Sequence, residues 1–156
     1  MRGRGKLRLW WAFPVAAVVY GMVSALPEGV VSAMLCRVPL EGAAAWFGVV
    51  PDRVAMIYAV GGKTFAMTRA CAAEGFLAMA VGVMAVRCPR WCWVAYPLTL
   101  ALNTLRAVAA TTAVLALPGF RFERALHLAL GTMLFAGALC GIWLLTERKG
   151  KHDFAG

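Results

Sequence analysis

The sequence predicts an all-α integral membrane protein of about four transmembrane helices plus a short amphipathic interfacial helix. Two observations carry this expectation. Hydrophobic residues make up 62% of the chain and the mean hydropathy is +0.75, well above the roughly 45–50% apolar content of a soluble domain. Charged residues, 15% of the total, gather in short tracts between long uncharged runs, which is how a chain keeps polar groups out of hydrocarbon. At 156 residues, the length predicts a single membrane domain over 1–156.

The net charge of +9 sits largely in MRGRGKLR, RCPR and ERKGK, tracts that flank apolar runs instead of forming one face. Membrane topology explains that placement, so the expected surroundings are a lipid bilayer and no nucleic acid. The first run, residues 9–26, follows this basic N-terminus and is long enough to cross. Val23, Ser24 and Ala25 resemble a cleavage site, but the run exceeds an ordinary signal-peptide core and Pro27 follows closely, which favours a retained anchor.

Residues 27–69 are interrupted by Arg37, Glu41, Asp52, Arg53, Lys63 and Arg69 and are not expected to span. Within them LCRVPLEGAAAWFGVV reads as an amphipathic interfacial helix stopped by Pro51, and Gly61 and Gly62 read as a turn. The second span is expected over 70–86, ending at the basic turn of Arg87 and Arg90. The third is expected over 91–117, and the fourth over 122–145 before a cytoplasmic tail at 146–156. Positive charge at both termini and at RCPR places all three on the cytoplasmic side.

This topology sets the depth of three assertive side chains. Cys71 falls at the outer end of the second span. Arg106 lies about 22 Å up from the cytoplasmic turn, and His127 about a turn and a half below the outer end of the fourth span. An arginine inside a span costs roughly 2.5–3.5 kcal/mol on insertion scales. The plain alternative is a residue that snorkels to the headgroups or pairs with Glu74. Cysteine attacks as a thiolate, which a neighbouring cation or histidine favours. In that reading His127 is the general base and Arg106 stabilises the thiolate or the oxyanion. Glu74, three residues after Cys71, would share its helix face and either balance Arg106 or orient His127.

The blocks TRACAAEGFLAMA, LALNTLRA and ALHLALGTMLFAGALCGIWLL resemble, in order and spacing, the signature blocks of the exosortase and archaeosortase family, most closely its compact exosortase K branch. The resemblance spans roughly residues 35–145. It implies a cysteine endopeptidase or transpeptidase that cuts a C-terminal, PEP-CTERM-like sorting signal on the outer side of the cytoplasmic (inner) membrane. The partners it implies are secreted proteins tethered in the membrane by that signal. By position it assigns the nucleophile to Cys71, the arginine to Arg106, in the Asn-x-x-Arg pattern that begins at Asn103, and the histidine to His127. The chain departs from the family pattern at Ala73, where glycine is usual.

No cofactor or metal is expected. The five cysteines form no double pair, Cys88 and Cys92 have neither redox nor zinc spacing, and no phosphate loop is present. Cys36 and Cys140, together with Gly131, Gly137 and Gly141, read as packing residues. One competing reading is a non-catalytic small membrane protein, a degenerate family member or assembly partner. The other is a transporter subunit with Arg106 and Glu74 along a polar path, for which no inverted repeat is visible.

Overall fold

A computed structural model describes residues 10–117 and 123–152. The described chain is mostly helical. In order it forms α1 (Ala12–Ser24), α2 (Glu28–Leu35), α3 (Arg37–Trp46), β1 (Ile57–Val60), β2 (Lys63–Ala66), a 3₁₀ turn (Arg69–Cys71), α4 (Glu74–Arg87), a second 3₁₀ segment (Pro89–Val94), α5 (Ala95–Ala116) and α6 (Glu123–His152).

Among the described residues, two helical stretches are long and apolar enough to cross a membrane, Pro89–Ala116 with 28 residues and Leu128–Leu145 with 18. The bent pair α1 and α2 makes a third if it counts as one span. Of residues 128–145 only Gly131 and Ile142 are buried, while Leu128, Met133, Leu144 and Leu145 stand exposed. Such an apolar outer surface fits lipid and not water. Within this helix the Thr132 hydroxyl donates to the Leu128 carbonyl, as those of Thr104 and Thr112 do to Leu100 and Val108 in α5. The hydroxyls are thereby satisfied without water. The runs expected at 9–26 and 70–86 form α1 and α4, of 13 and 14 residues, each about 20 Å long against a hydrocarbon core of about 30 Å.

The chain divides into two compact units. The first contains α1, α4, the second 3₁₀ segment and the last part of α6. Here α1 packs on α4 through small residues, with Ala12, Ala16, Ala78 and Ala80 buried. Gly82 is required at this crossing, because a Cβ there would collide with the Ala12 carbonyl and lie 3.0 Å from the Ala16 Cβ. Phe76 stacks on Phe135 at 4.8 Å, and the Arg87 guanidinium lies 4.7 Å from the Trp143 ring centroid, a cation–π contact.

The second unit contains α2, α3, the β-hairpin, the first 3₁₀ turn, most of α5 and the first part of α6. Its core is Val31, Leu35, Leu40, Ala43 and Ala44, all fully buried. Close packing of α3 on α5 depends on Gly42, where a Cβ would stand 2.7 Å from the Thr104 methyl. The interfacial helix expected to run until Pro51 ends earlier, at Trp46. Gly48 takes φ +67°, and the amides of Gly48 and Val49 donate back to Ala45 and Ala44, a glycine-terminated helix end.

The hairpin departs from the all-α expectation. Its strands are β-branched or aromatic at Ile57, Tyr58, Val60, Thr64 and Phe65. Gly61 and Gly62 take φ +59° and +75°, as a two-residue turn with both central residues left-handed demands. The expected glycine turn is therefore present, and it joins strands. Strand entry is set by Asp52, whose carboxylate accepts from the amides of Val54 and Ala55. These two bonds hold its pKa below the ordinary value.

Candidate functional site

Cys71 ends the 3₁₀ turn, and the chain then bends through Ala72 and Ala73 before α4 begins at Glu74. Ala73 has φ +56°, a left-handed backbone that costs an L-residue about 1–2 kcal/mol and glycine nothing. The position two after the cysteine is thus one whose backbone asks for glycine, and this chain carries alanine there. The bend also removes the helical spacing expected between Cys71 and Glu74. Glu74 belongs to the first unit, where its carboxylate accepts from the Ser24 hydroxyl at 3.2 Å.

Two buried side chains from α5 converge on the end of the turn. Arg106 Nη2 donates to the Cys71 carbonyl at 2.6 Å, and Asn103 Nδ2 donates to the same oxygen at 2.7 Å. A turn leaves its last carbonyls without intrahelical partners, and this oxygen receives both donors. Asn103 also reaches the Leu35 carbonyl at 3.4 Å, tying the turn to the end of α2. Arg106 is 6% exposed, which excludes snorkelling. Asn103 is fully buried, and its Oδ1 has no hydrogen-bond partner among the described residues.

Cys71 is half-buried, with its Sγ 3.8 Å from the Thr68 hydroxyl. The buried Cys36 thiol donates to the Thr68 carbonyl at 3.5 Å. Both sulfurs therefore sit at Thr68, and the Cys36 thiol takes part in hydrogen bonding beyond its expected packing role. On the hairpin, Tyr58 stacks on Phe65 at 5.5 Å, and its hydroxyl lies 2.5 Å from the Thr111 hydroxyl of α5. Burial raises the Tyr58 pKa, the Thr111 hydrogen bond opposes that rise, and negative charge at Cys71 adds to it.

The His127 side chain lies outside the described residues. Its backbone stands on α6 one turn before Gly131, and Gly131 lies against the Arg106 side chain. A Cβ at Gly131 would be 3.0 Å from Arg106 Cδ and 3.4 Å from Nη1. Gly137 and Gly141, expected to pack in the same way, have nothing within 4 Å.

Of the residues singled out in the sequence, Cys71, Asn103 and Arg106 come together, and Glu74 belongs to the other unit. Tyr58 and Thr111 were not foreseen, whereas Gly131, expected as a packing residue, does pack, against Arg106. Nothing in the sequence pairs Tyr58 with Thr111. Among the described residues no cluster of His, Cys, Asp and Glu could hold a metal ion. The fold and site define a mostly helical protein with two or three helices able to cross a membrane, and with a cysteine turn gripped by a buried arginine and asparagine. No protein family, curated protein or solved structure matches this chain.

Proposed function

We propose that this chain is a membrane-embedded cysteine endopeptidase or transpeptidase acting on a C-terminal, PEP-CTERM-like sorting signal at the outer side of the cytoplasmic membrane. In this reading the chain crosses four times, both termini are cytoplasmic and the segment carrying α3 lies at the outer interface. The observation that carries the proposal is the convergence of Arg106 and Asn103 on the Cys71 carbonyl, which brings a guanidinium to the backbone of a half-buried cysteine.

A positive charge here favours the thiolate and the negative oxygen of a tetrahedral intermediate. Cys71 Sγ attacks the scissile carbonyl, and its proton passes to His127. The carbon–nitrogen bond breaks as His127 protonates the leaving amine, which leaves a thioester on Cys71. Water or a cell-surface nucleophile then releases the product. The substrate is a secreted protein held by its own C-terminal transmembrane helix and basic tail, which presents the cleavage peptide at the depth of the cysteine. This placement explains why the enzyme is embedded.

The test is co-expression with a secreted protein of the same genome carrying such a tail. Processing by the native protein, and none by inserted and stable Cys71→Ala, Arg106→Ala or His127→Ala, is the expected result. Wild-type processing by Cys71→Ala defeats the proposal. A second reading, a non-catalytic membrane protein, draws on the fact that Arg106 and Asn103 both donate to a backbone carbonyl, as helix-tying residues do. Equal tolerance of Cys71→Ser and Cys140→Ser supports it.

A further inference from the structure

Among the described residues the hairpin presents one open edge, that of β2, and β2 leads into the cysteine turn. Tyr58 pairs with Phe65 and Val60 with Lys63, and the Met67 amide donates to the Met56 carbonyl at 2.8 Å. In an antiparallel ladder, hydrogen-bonded and non-bonded pairs alternate. Met56 with Met67, Tyr58 with Phe65, and Val60 with Lys63 are therefore the bonded pairs. The amide and carbonyl of Thr64 and of Ala66 then point away from β1.

The outer edge of β1 is closed at Ile57, which exchanges hydrogen bonds with Asp52 at 2.8 and 3.1 Å. No such bridge covers β2 among the described residues. Thr64 and Ala66 are exposed, as is Ala59 beside them, so along β2 this face of the hairpin carries small side chains, with the half-buried Ile57 opposite Ala66 on β1. From Ala66 the chain continues through Met67 and Thr68 into the turn that ends at Cys71.

Backbone donors and acceptors repeating at every second residue are complementary to another extended strand. We propose that β2 is the docking edge for the substrate, which binds as an added strand and runs its scissile bond towards Cys71. This rests on Cys71 being the nucleophile of the proposed reaction. The occupant is an extended peptide segment, such as one lying between a secreted domain and its membrane anchor. Recognition here is of backbone, with small side chains favoured against Thr64 and Ala66.

The experiment uses full-length Cys71→Ala protein in lipid nanodiscs. The probe is a fluorescent alanine, threonine and valine peptide joined to a leucine-rich transmembrane helix with an arginine tail. Thr64→Pro and Ala66→Pro each delete one outward amide, and proline is tolerated at an outward-facing edge position. Ala59→Pro deletes an outward amide on the opposite edge. Each β2 proline is expected to weaken peptide binding by about fivefold, the worth of one hydrogen bond, with Ala59→Pro unchanged. In the Cys71 background, all three prolines are expected to leave alkylation of the thiol by iodoacetamide at the wild-type rate.

Equal binding by all four proteins, equal losses from both edges, or no binding of the probe overturns the proposal. So does a dimer of this chain that the β2 prolines dissolve, because the edge then serves a second copy. These readings involve no cleavage, so they stand or fall apart from tail processing.

Discussion

Replacement of Ala73 by glycine should stabilise the protein, whereas glycine at the adjacent Ala72 should destabilise it. Ala73 has φ +56°, and relief of a left-handed L-residue is worth about 1–2 kcal/mol. Against this, glycine loses about 0.5–1 kcal/mol more conformational entropy on folding. Loss of a half-buried methyl costs about 0.4 kcal/mol, half the value of a buried methylene. The balance is a gain of about 0.5 kcal/mol. Ala72 has φ −69° and is fully buried, so glycine there brings both costs and no relief, a loss of about 1.5 kcal/mol. Unfolding in mixed micelles, followed by circular dichroism, measures both variants. Opposite signs at neighbouring residues are the expected result, and equal destabilisation by the two glycines refutes the reasoning.

Gly131→Ala should cost about 1–3 kcal/mol by overpacking and alter the rate at which iodoacetamide alkylates Cys71, because the added methyl meets Arg106. Gly137→Ala and Gly141→Ala, inside the helix with open space around them, should leave the alkylation rate unchanged and raise stability by about 0.5–1 kcal/mol. Asn103→Leu should lose about 1–3 kcal/mol in the same unfolding assay, since the Cys71 and Leu35 carbonyls both lose a donor. The raised pKa of Tyr58 means that its contribution to stability is complete below about pH 10, the ordinary phenol value, and is lost as pH rises through the higher folded value. Tyr58→Phe should remove that alkaline loss and cost about 1 kcal/mol at neutral pH through the bond to Thr111.

The helices were legible because their evidence is local. The long apolar runs around Arg106 and after His127 became α5 and α6, and the glycine pair at 61 and 62 marked a turn. What was hidden depends on backbone angles and on contacts between distant residues. The 3₁₀ turn at Cys71 interrupts what reads as one apolar run from Ala70, and only the φ of Ala73 separates the cysteine from α4. That displaced the helix-face argument for Glu74. The hairpin was missed because residues 57–66 are short, and their charged neighbours suggested an interface before a sheet. At the site, Cys71 and Arg106 were found from residue type and depth, and Asn103 only from the motif resemblance. Thr111 and Tyr58 carry no chemical signature until the hairpin lies against α5.

Why an arginine in a span should bind a backbone carbonyl follows from two deficits that cancel. A turn ending in apolar surroundings leaves a carbonyl with no intrahelical donor, and a buried guanidinium needs acceptors in place of water. At Cys71 each supplies what the other lacks, with Asn103 as second donor. The carbonyl is neutral, so these two bonds bring no negative charge to the arginine, and what they fix is the backbone at the end of the cysteine turn.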